Sequence, residues 1–301
     1  MMSEIFLGAP VFIVISGIAA AGSALAELFR QAGVPFKSSL LSHMSDFSAA
    51  SLLDDWHQQL SQTLSFTRQT LSVKQSPFLE PLAQAKALND ALSKMPLLSH
   101  IIQHTQPTSL QQAQAALRQS EEARLKGDTD TLYRHALTAK RLLEDAVVNA
   151  YERLASAQQT VLSNAVTASL RELGYQVSQH QNERGVALWG VKGGIGVAVV
   201  LGKDGSLQMD MMGFDGLSCQ AERNRILAKV AEKGITIQQK SAVLHGRKSG
   251  GQLLETAHRL ARQRRLSVPQ ALLESAFPKR QQQGQDLRRR QILVWGQKVR
   301  L

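Results

Sequence analysis

Cysteine is almost absent from this chain, since Cys219 is the single thiol among 301 residues. One thiol cannot build a disulfide framework, and it excludes the zinc sites that need several cysteines at fixed spacing. Aromatic residues are also scarce, at 5%, which argues against the stacking platforms that bind single-stranded nucleic acid. No spacing of carboxylates, histidines or nucleophiles is typical of a catalytic or metal site. The sequence therefore predicts a non-enzymatic protein with no metal and no cofactor.

Negative charge is lacking in the last fifth of the chain. Between Ser241 and the C-terminus thirteen Lys and Arg residues face three Asp and Glu residues, which gives a net charge of +10 against +11 for the whole chain. The first four-fifths is therefore close to neutral. A basic segment of this kind binds nucleic acid or anionic lipid, so both are open as partners of the C-terminal region.

An uncharged apolar stretch lies near the N-terminus, over residues 5–26. About 20 apolar residues cross the hydrocarbon layer of a bilayer, so the stretch predicts a single transmembrane helix within an anchor over residues 1–33. Arg30 and Lys37 follow the span, which by the positive-inside rule places the C-terminal bulk in the cytoplasm. The alternative is a cytoplasmic protein with a buried strand over residues 11–15 and a buried helix. A cleaved signal peptide is disfavoured, because the N-terminus lacks a positive region.

The middle of the chain is predicted to be helical. Residues 34–107 form a helical region divided by prolines, and residues 108–173 form a helical hairpin or stalk. Gly127 and Asp128 separate the two helices of that hairpin, since Gly suits a helix C-terminus and Asp suits the next N-cap. The apolar stripe of the second helix has a mean spacing of about 3.6 residues, which predicts one straight helix, roughly 70 Å long. It is either a stalk that offers a partner surface or part of a helical bundle.

After Gly174 the apolar pattern changes to that of strands. Residues 174–278 predict an antiparallel meander backed by helices, with Gly193-Gly194 as one of its turns, so the fold class is α+β. Residues 279–301 form a basic tail, in which residues 291–299 predict a last strand.

Residues 204–219 carry the pattern D-G-(strand)-G-F-x-G-x-x-C, in which the named positions are Gly213, Gly216 and Cys219. Over about residues 172–240 the chain resembles the small domain of unknown function that accompanies Ycf-type reading frames of cyanobacteria and algal plastids. That domain also occurs in bacterial gene neighbourhoods with AAA ATPases. The resemblance implies an accessory module that acts beside an AAA-type ATPase, and it brings no catalytic residues.

The glycines and the cysteine of this pattern have a physical interpretation. Gly213 and Gly216 permit a tight turn with positive φ. Cys219 begins a predicted helix, whose dipole would lower the pKa of the thiol. Alternatively, Cys219 is a small buried residue that fills the corner between strand and helix.

A second loop that could bind a ligand spans residues 245–251, between a predicted strand and a predicted helix. Its backbone N–H groups and cations would hold a phosphate, or its charges are simply solvated. The candidate residues for phosphate or nucleic-acid binding, here and in the basic segment that follows, are His245, Arg247, Lys248, Arg262, Arg264, Arg265, Arg288, Arg289 and Arg290.

The sequence favours a membrane-tethered, non-enzymatic scaffold that presents a cytoplasmic α+β module to a protein partner. The alternative is a nucleic-acid-binding protein that uses its basic C-terminal fifth. An enzyme that uses Cys219 or the loop at His245 is the third hypothesis.

Overall fold

The computed structural model describes residues 13–14, 26–36, 79–202, 207–214, 218–237 and 250–277. The chain divides into two compact units. The helical unit is Leu28–Leu154, and the sheet unit is Ala155–Leu301 together with Met1–Glu27.

Besides the helical residues 28–31, the described part of the helical unit contains three helices and the first part of a fourth. They are α1 (Glu80–Ser93), α2 (Pro96–Thr105), α3 (Pro107–Lys126) and α4 (Thr129–Glu172). A proline lies in the first turn of each of the first three. Proline suits this position because the first N–H groups of a helix have no partner within it. Pro81, Pro96 and Pro107 therefore lie at the starts of α1, α2 and α3.

The junction between α3 and α4 is as the sequence predicts. Gly127 ends α3 with φ of +73°, and Asp128 Oδ1 accepts a hydrogen bond from the backbone N of Thr131 at 3.0 Å. α4 is unbroken over 44 residues. Most of its predicted apolar stripe is buried, which explains why the spacing of about 3.6 residues persists. The buried members are Leu132, Ala136, Ala139, Leu143, Ala150, Leu154, Ala157 and Ala165.

His100 connects the N-terminal segment of the helical unit to α2. Its imidazole is 7% exposed, and its Nε2 lies 2.9 Å from the carbonyl oxygen of Pro35. The ring of Phe29 packs beside it, with ring centroids 6.4 Å apart. This histidine is therefore part of the packing between residues 28–36 and α2.

The described part of the sheet unit contains two antiparallel sheets. β1 (Ile13–Val14) pairs with β6 (Thr236–Ile237). The other four strands follow one another in the order β2-β3-β4-β5, as the predicted meander requires. They are β2 (Gln176–Asn182), β3 (Gly185–Lys192), β4 (Ile195–Gly202) and β5 (Leu207–Met212). Gly193 and Gly194 connect β3 to β4 with φ of +53° and +82°, the backbone of a tight hairpin turn that glycine adopts without strain.

Helices cover both faces of the four-stranded sheet. Val197, Val199 and Leu201 pack in one cluster with the end of α4 and with α5 (Ser218–Glu232). Ala198 and Val200 point to the other face and pack against α6 (Gln252–Arg264) and α7 (Val268–Ala276). Because both faces are buried, β4 is apolar throughout instead of alternating. The sheet unit begins inside α4, ahead of the change of pattern at Gly174.

The structure differs from the predicted transmembrane helix at Ile13 and Val14. These residues lie opposite Ile237 and Thr236 in β6, so they are a strand, as the alternative over residues 11–15 predicts. The transmembrane prediction is wrong at this point because the backbone is extended and pairs with another strand. Gly33 follows the helical residues 26–31 with φ of +72°. Within the described part of the chain, no helix has the length and apolar character needed to cross a bilayer. Most of residues 5–26 lies outside that part.

Candidate functional site

β2 is an edge strand of the four-stranded sheet. It pairs with β3 without interruption, from Gln176 opposite Val191 to Asn182 opposite Gly185, and no described strand pairs with its other edge. Along an antiparallel edge strand, every second residue directs its N–H and C=O away from the neighbour. β2 therefore offers a row of backbone donors and acceptors on its open side. Its exposed side chains are Gln176, Ser178, Gln179 and Gln181.

The composition of β2 leaves this edge unprotected. Soluble proteins usually protect an edge strand with lysine, proline, a bulge or a very short length. β2 has seven residues, QVSQHQN, with no charge and no proline, and its register with β3 contains no bulge. Such an edge is a template for the addition of another strand.

A cleft of about 730 Å³ lies beside β2. Its walls come from the end of β2, the turn that follows, α6 and α7. A volume of this size is within the usual range for sites that bind small molecules or side chains. The lining residues with hydrogen-bonding or charged groups include His180, Asn182, Glu183, Arg184, Arg264 and Glu274.

Two arginines of the cleft are held by described contacts. Arg184 Nη1 donates to the carbonyl oxygen of Phe277 at 3.2 Å, at the C-terminal end of α7. Arg264 Nη1 donates to Glu274 Oε2 at 2.6 Å. The side chains of this pair are 60% and 31% exposed, so the ion pair is accessible to water. Since each guanidinium has five N–H donors, both arginines keep further donors beyond these contacts.

The N-terminus of α6, where the sequence predicts a phosphate site, holds a carboxylate of the protein itself. The backbone N of Gly251 donates to Asp210 Oδ1 at 2.8 Å, and the backbone N of Leu254 donates to Asp210 Oδ2 at 3.0 Å. Asp210 thus accepts hydrogen bonds from backbone N–H groups that a bound phosphate would need at this helix N-terminus. His245, Arg247 and Lys248 lie outside the described residues, so their part in phosphate binding stays a prediction.

The other predicted basic residues lie at different places in the structure or outside its described part. Arg264 lines the cleft, whereas Arg262 and Arg265 are exposed at the C-terminal end of α6. Cations are favourable at this end of a helix. The arginines at positions 288–290 lie outside the described residues, as does the strand predicted over residues 291–299. The structure therefore describes three of the predicted basic residues, all at the C-terminal end of α6, and their part in binding stays a prediction.

Of the three pattern residues, the structure describes Gly213 and Cys219. Gly213 has φ of +82°, as predicted, and Gly216 lies outside the described residues. Cys219 is half-buried, and its Sγ lies 3.6 Å from the Sδ of Met211. Burial raises the pKa of the thiol, and the charge of Asp210 adds to this while that of Arg223 opposes it. This direction is opposite to the one that an activated thiol requires, and the half-buried position agrees with the alternative of a small residue at the corner between strand and helix.

Sequence reasoning missed Arg184, Glu274 and Asp210. Asp210 could have been noticed in the sequence, because it is the single charged residue of the strand LQMDMM, and a carboxylate in a mostly apolar strand requires a partner. Arg184 has no such signal, since only the packing of α7 brings the Phe277 carbonyl to it. The uncharged strand β2 was visible in the sequence, but its place at the edge depends on the order of the strands.

Comparison of the chain with protein-family models, with curated proteins and with solved structures gave no match. The resemblance to the Ycf-associated domain stays a prediction.

Proposed function

We propose that this protein is an adaptor whose sheet unit binds an extended segment of a protein partner along the open edge of β2. The observation that carries the proposal is the exposed, uncharged edge of seven residues. A segment that adds to such an edge gains hydrogen bonds to the backbone, and its alternate side chains give specificity.

The rest of the sheet unit supports this edge. β3 and β4 are buried between helices on both faces. Lys192 fixes the start of the meander, because its Nζ donates to the carbonyl oxygen of Leu173 at 2.6 Å. Tyr175 OH donates to Glu222 Oε1 at 2.9 Å on α5. A strand that is held in place before binding costs less conformational entropy when a partner docks.

The resemblance in the sequence suggests the class of partner. It points to an AAA-type ATPase, whose extended segment or terminus would be the strand that docks on β2. The ATPase is one instance of the proposal, since the edge binds any extended segment with suitable side chains.

The proposal is tested by selecting random 12-residue peptides on phage against the full chain. Enriched peptides are synthesised with a fluorophore and an amidated C-terminus, and their affinity is measured by fluorescence anisotropy. We expect Gln179→Pro to weaken binding at least tenfold, because proline lacks the N–H donor and its ring obstructs an added strand. Hydrogen exchange should show slower exchange within β2 when a peptide is bound.

Two further variants keep this test decisive. If Gln179→Pro does not fold by circular dichroism, the pair Gln179→Lys with Gln181→Lys takes its place, since lysine protects natural edges. The matched control is Gln111→Lys with Gln114→Lys, which adds the same charge to exposed positions on α3 and should not change binding. The absence of any enriched peptide, or equal binding to the edge variants and the control, contradicts the proposal.

A second candidate function is nucleic-acid binding. It is favoured by three exposed arginines, of which Arg259 and Arg262 lie on the last turns of α6 and Arg265 directly follows the helix. If these residues contact phosphates, the affinity for a DNA duplex should fall steeply with salt, and their replacement by Gln should make the salt dependence shallower. An affinity that does not change between low and high salt excludes this function.

A further inference from the structure

We infer that the segment that docks on β2 carries an Asp or Glu side chain, which the arginines of the adjacent cleft bind. The inference rests on the proposed function and adds the chemistry of the partner. It follows from the position of the cleft beside β2, from the contacts that its two arginines already make and from the net positive charge of the protein.

The cleft lies on one face of the sheet, next to the open edge. His180 and Asn182 belong both to β2 and to the lining of the cleft. His180 pairs with Ala187, and Ala187 packs in the cluster that α6 and α7 cover. Because side chains alternate between the faces of a sheet, every second side chain of an added strand would lie on this face. Beside His180 and Asn182, such a side chain meets the cleft.

The two arginines suit a carboxylate. A guanidinium binds a carboxylate through two parallel hydrogen bonds, a geometry that a single ammonium cannot provide. Arg184 is already positioned by the carbonyl of Phe277, so little of its freedom is lost on binding. The pair of Arg264 and Glu274 is exposed, and exposed ion pairs contribute little to stability. A carboxylate from a partner can therefore share Arg264 with Glu274 at small cost.

The carboxylates of Glu183 and Glu274 also line the cleft, and they weaken its preference for an acidic side chain. Glu274 is balanced by Arg264 at 2.6 Å, and Glu183 is exposed on the turn that follows β2. The chain as a whole has a net charge of +11, which attracts acidic segments over distance and disfavours basic ones. The four charged side chains of the lining balance one another, so the preference for an acidic side chain comes from the two-point geometry of the guanidinium groups and from the net charge of the whole protein.

The test uses the enriched, amidated peptides and the full chain. Each Asp or Glu of a peptide is replaced in turn by Asn or Gln, and the affinity is measured on wild type, Arg184→Gln and Arg264→Gln. We expect one acidic residue whose replacement weakens binding about tenfold, with a loss of similar size in each arginine variant. In the arginine variants the peptide substitution should have a smaller effect, because the two groups act on each other.

Arg262→Gln is the matched control. It removes one positive charge from an exposed position on α6, the helix that also carries Arg264, and Arg262 does not line the cleft. Arg184→Lys keeps the charge but loses the two-point geometry, so it should bind with intermediate affinity. Melting temperatures confirm that the variants are folded.

The outcomes separate the two proposals. If binding depends on β2, but no acidic residue matters or Arg262→Gln has the same effect as the cleft variants, this inference is wrong and the adaptor function stands. If binding does not depend on β2, the adaptor function is wrong and the inference fails with it.

Discussion

The carboxylate of Asp210 caps a helix that begins more than forty residues later in the chain, since Leu254 N donates to its Oδ2 at 3.0 Å. Its other oxygen accepts from the backbone N of Gly251 at 2.8 Å. α6 has no capping side chain at its own N-cap, because that residue is Gly251. Asp210 therefore fastens α6, and with it one wall of the cleft, to the strand β5.

Replacing Asp210 by Ala should lower the free energy of unfolding by about 1–2 kcal/mol, because α6 loses its cap. Asp210→Asn should lose less, since the amide oxygen still accepts one hydrogen bond. Urea denaturation of the full chain measures both. Asp145→Asn, an exposed change on α4, is the control and should stay within about 0.5 kcal/mol of wild type. Equal stability of Asp210→Ala and the control would show that this cap contributes nothing.

Gly213→Ala should destabilise the sheet unit through a steric clash as well as through backbone strain. A Cβ at Gly213 would lie 2.6 Å from the carbonyl oxygen of Gly194, and φ is +82°. Gly193→Ala is a matched control, because its φ is +53° and nothing lies within 4 Å of its Cβ. The control should cost about 1–2 kcal/mol, the strain of an L-residue in this conformation. Gly213→Ala should cost more, and equal losses in urea denaturation would show that the clash is absent.

His258 should make the protein less stable at mildly acid pH. Burial lowers the pKa of its imidazole from the ordinary 6.5, and the charge of Arg262 adds to the effect. Its ring meets that of Trp189 edge-on, with centroids 5.7 Å apart. Below about pH 6.5 the unfolded chain binds this proton more readily than the folded chain, so stability falls as the pH drops, until the folded state is protonated as well.

The contribution of His258 is isolated by comparing wild type with His258→Gln. The urea midpoint is measured at pH 7.5 and pH 5.5 for both proteins. We expect a smaller drop in the variant, since the two proteins differ only at position 258. The same drop in both would mean that His258 does not contribute.

Cys219 should react slowly with thiol reagents in the folded protein. Its pKa is raised by burial, and only the thiolate is nucleophilic. Modification by Ellman's reagent at pH 7.5 should therefore be several-fold slower without urea than in 8 M urea. A faster reaction in the folded state would restore the interpretation as an activated thiol.

Features that depend on neighbouring residues were predictable from the sequence. Gly127 and Asp128 end one helix and begin the next with their own backbone and side chain, as the structure confirms. The length of α4 follows from the spacing of its apolar residues. The pair Gly193-Gly194 predicts its tight turn because both residues adopt positive φ.

The structure of the N-terminal apolar segment could not be predicted from local sequence patterns. An uncharged stretch of about 20 residues has the same composition whether it crosses a bilayer or lies within a protein. Ile13 and Val14 are a strand because β6 lies beside them. This pairing depends on residues more than two hundred positions away in the chain, so no local sequence pattern predicts it.

By itself, the sequence determined the α+β class, the long helix, the order of the meander and the concentration of positive charge near the C-terminus. Only the tertiary structure decided that β2 lies at an edge of the described four-stranded sheet, that Arg184 and Arg264 share a cleft, and that Asp210 caps α6. The physical reason is the range of the interactions. Helix periodicity, caps and tight turns involve residues a few positions apart. The edge, the cleft and the Asp210 cap depend on how distant segments pack around one sheet.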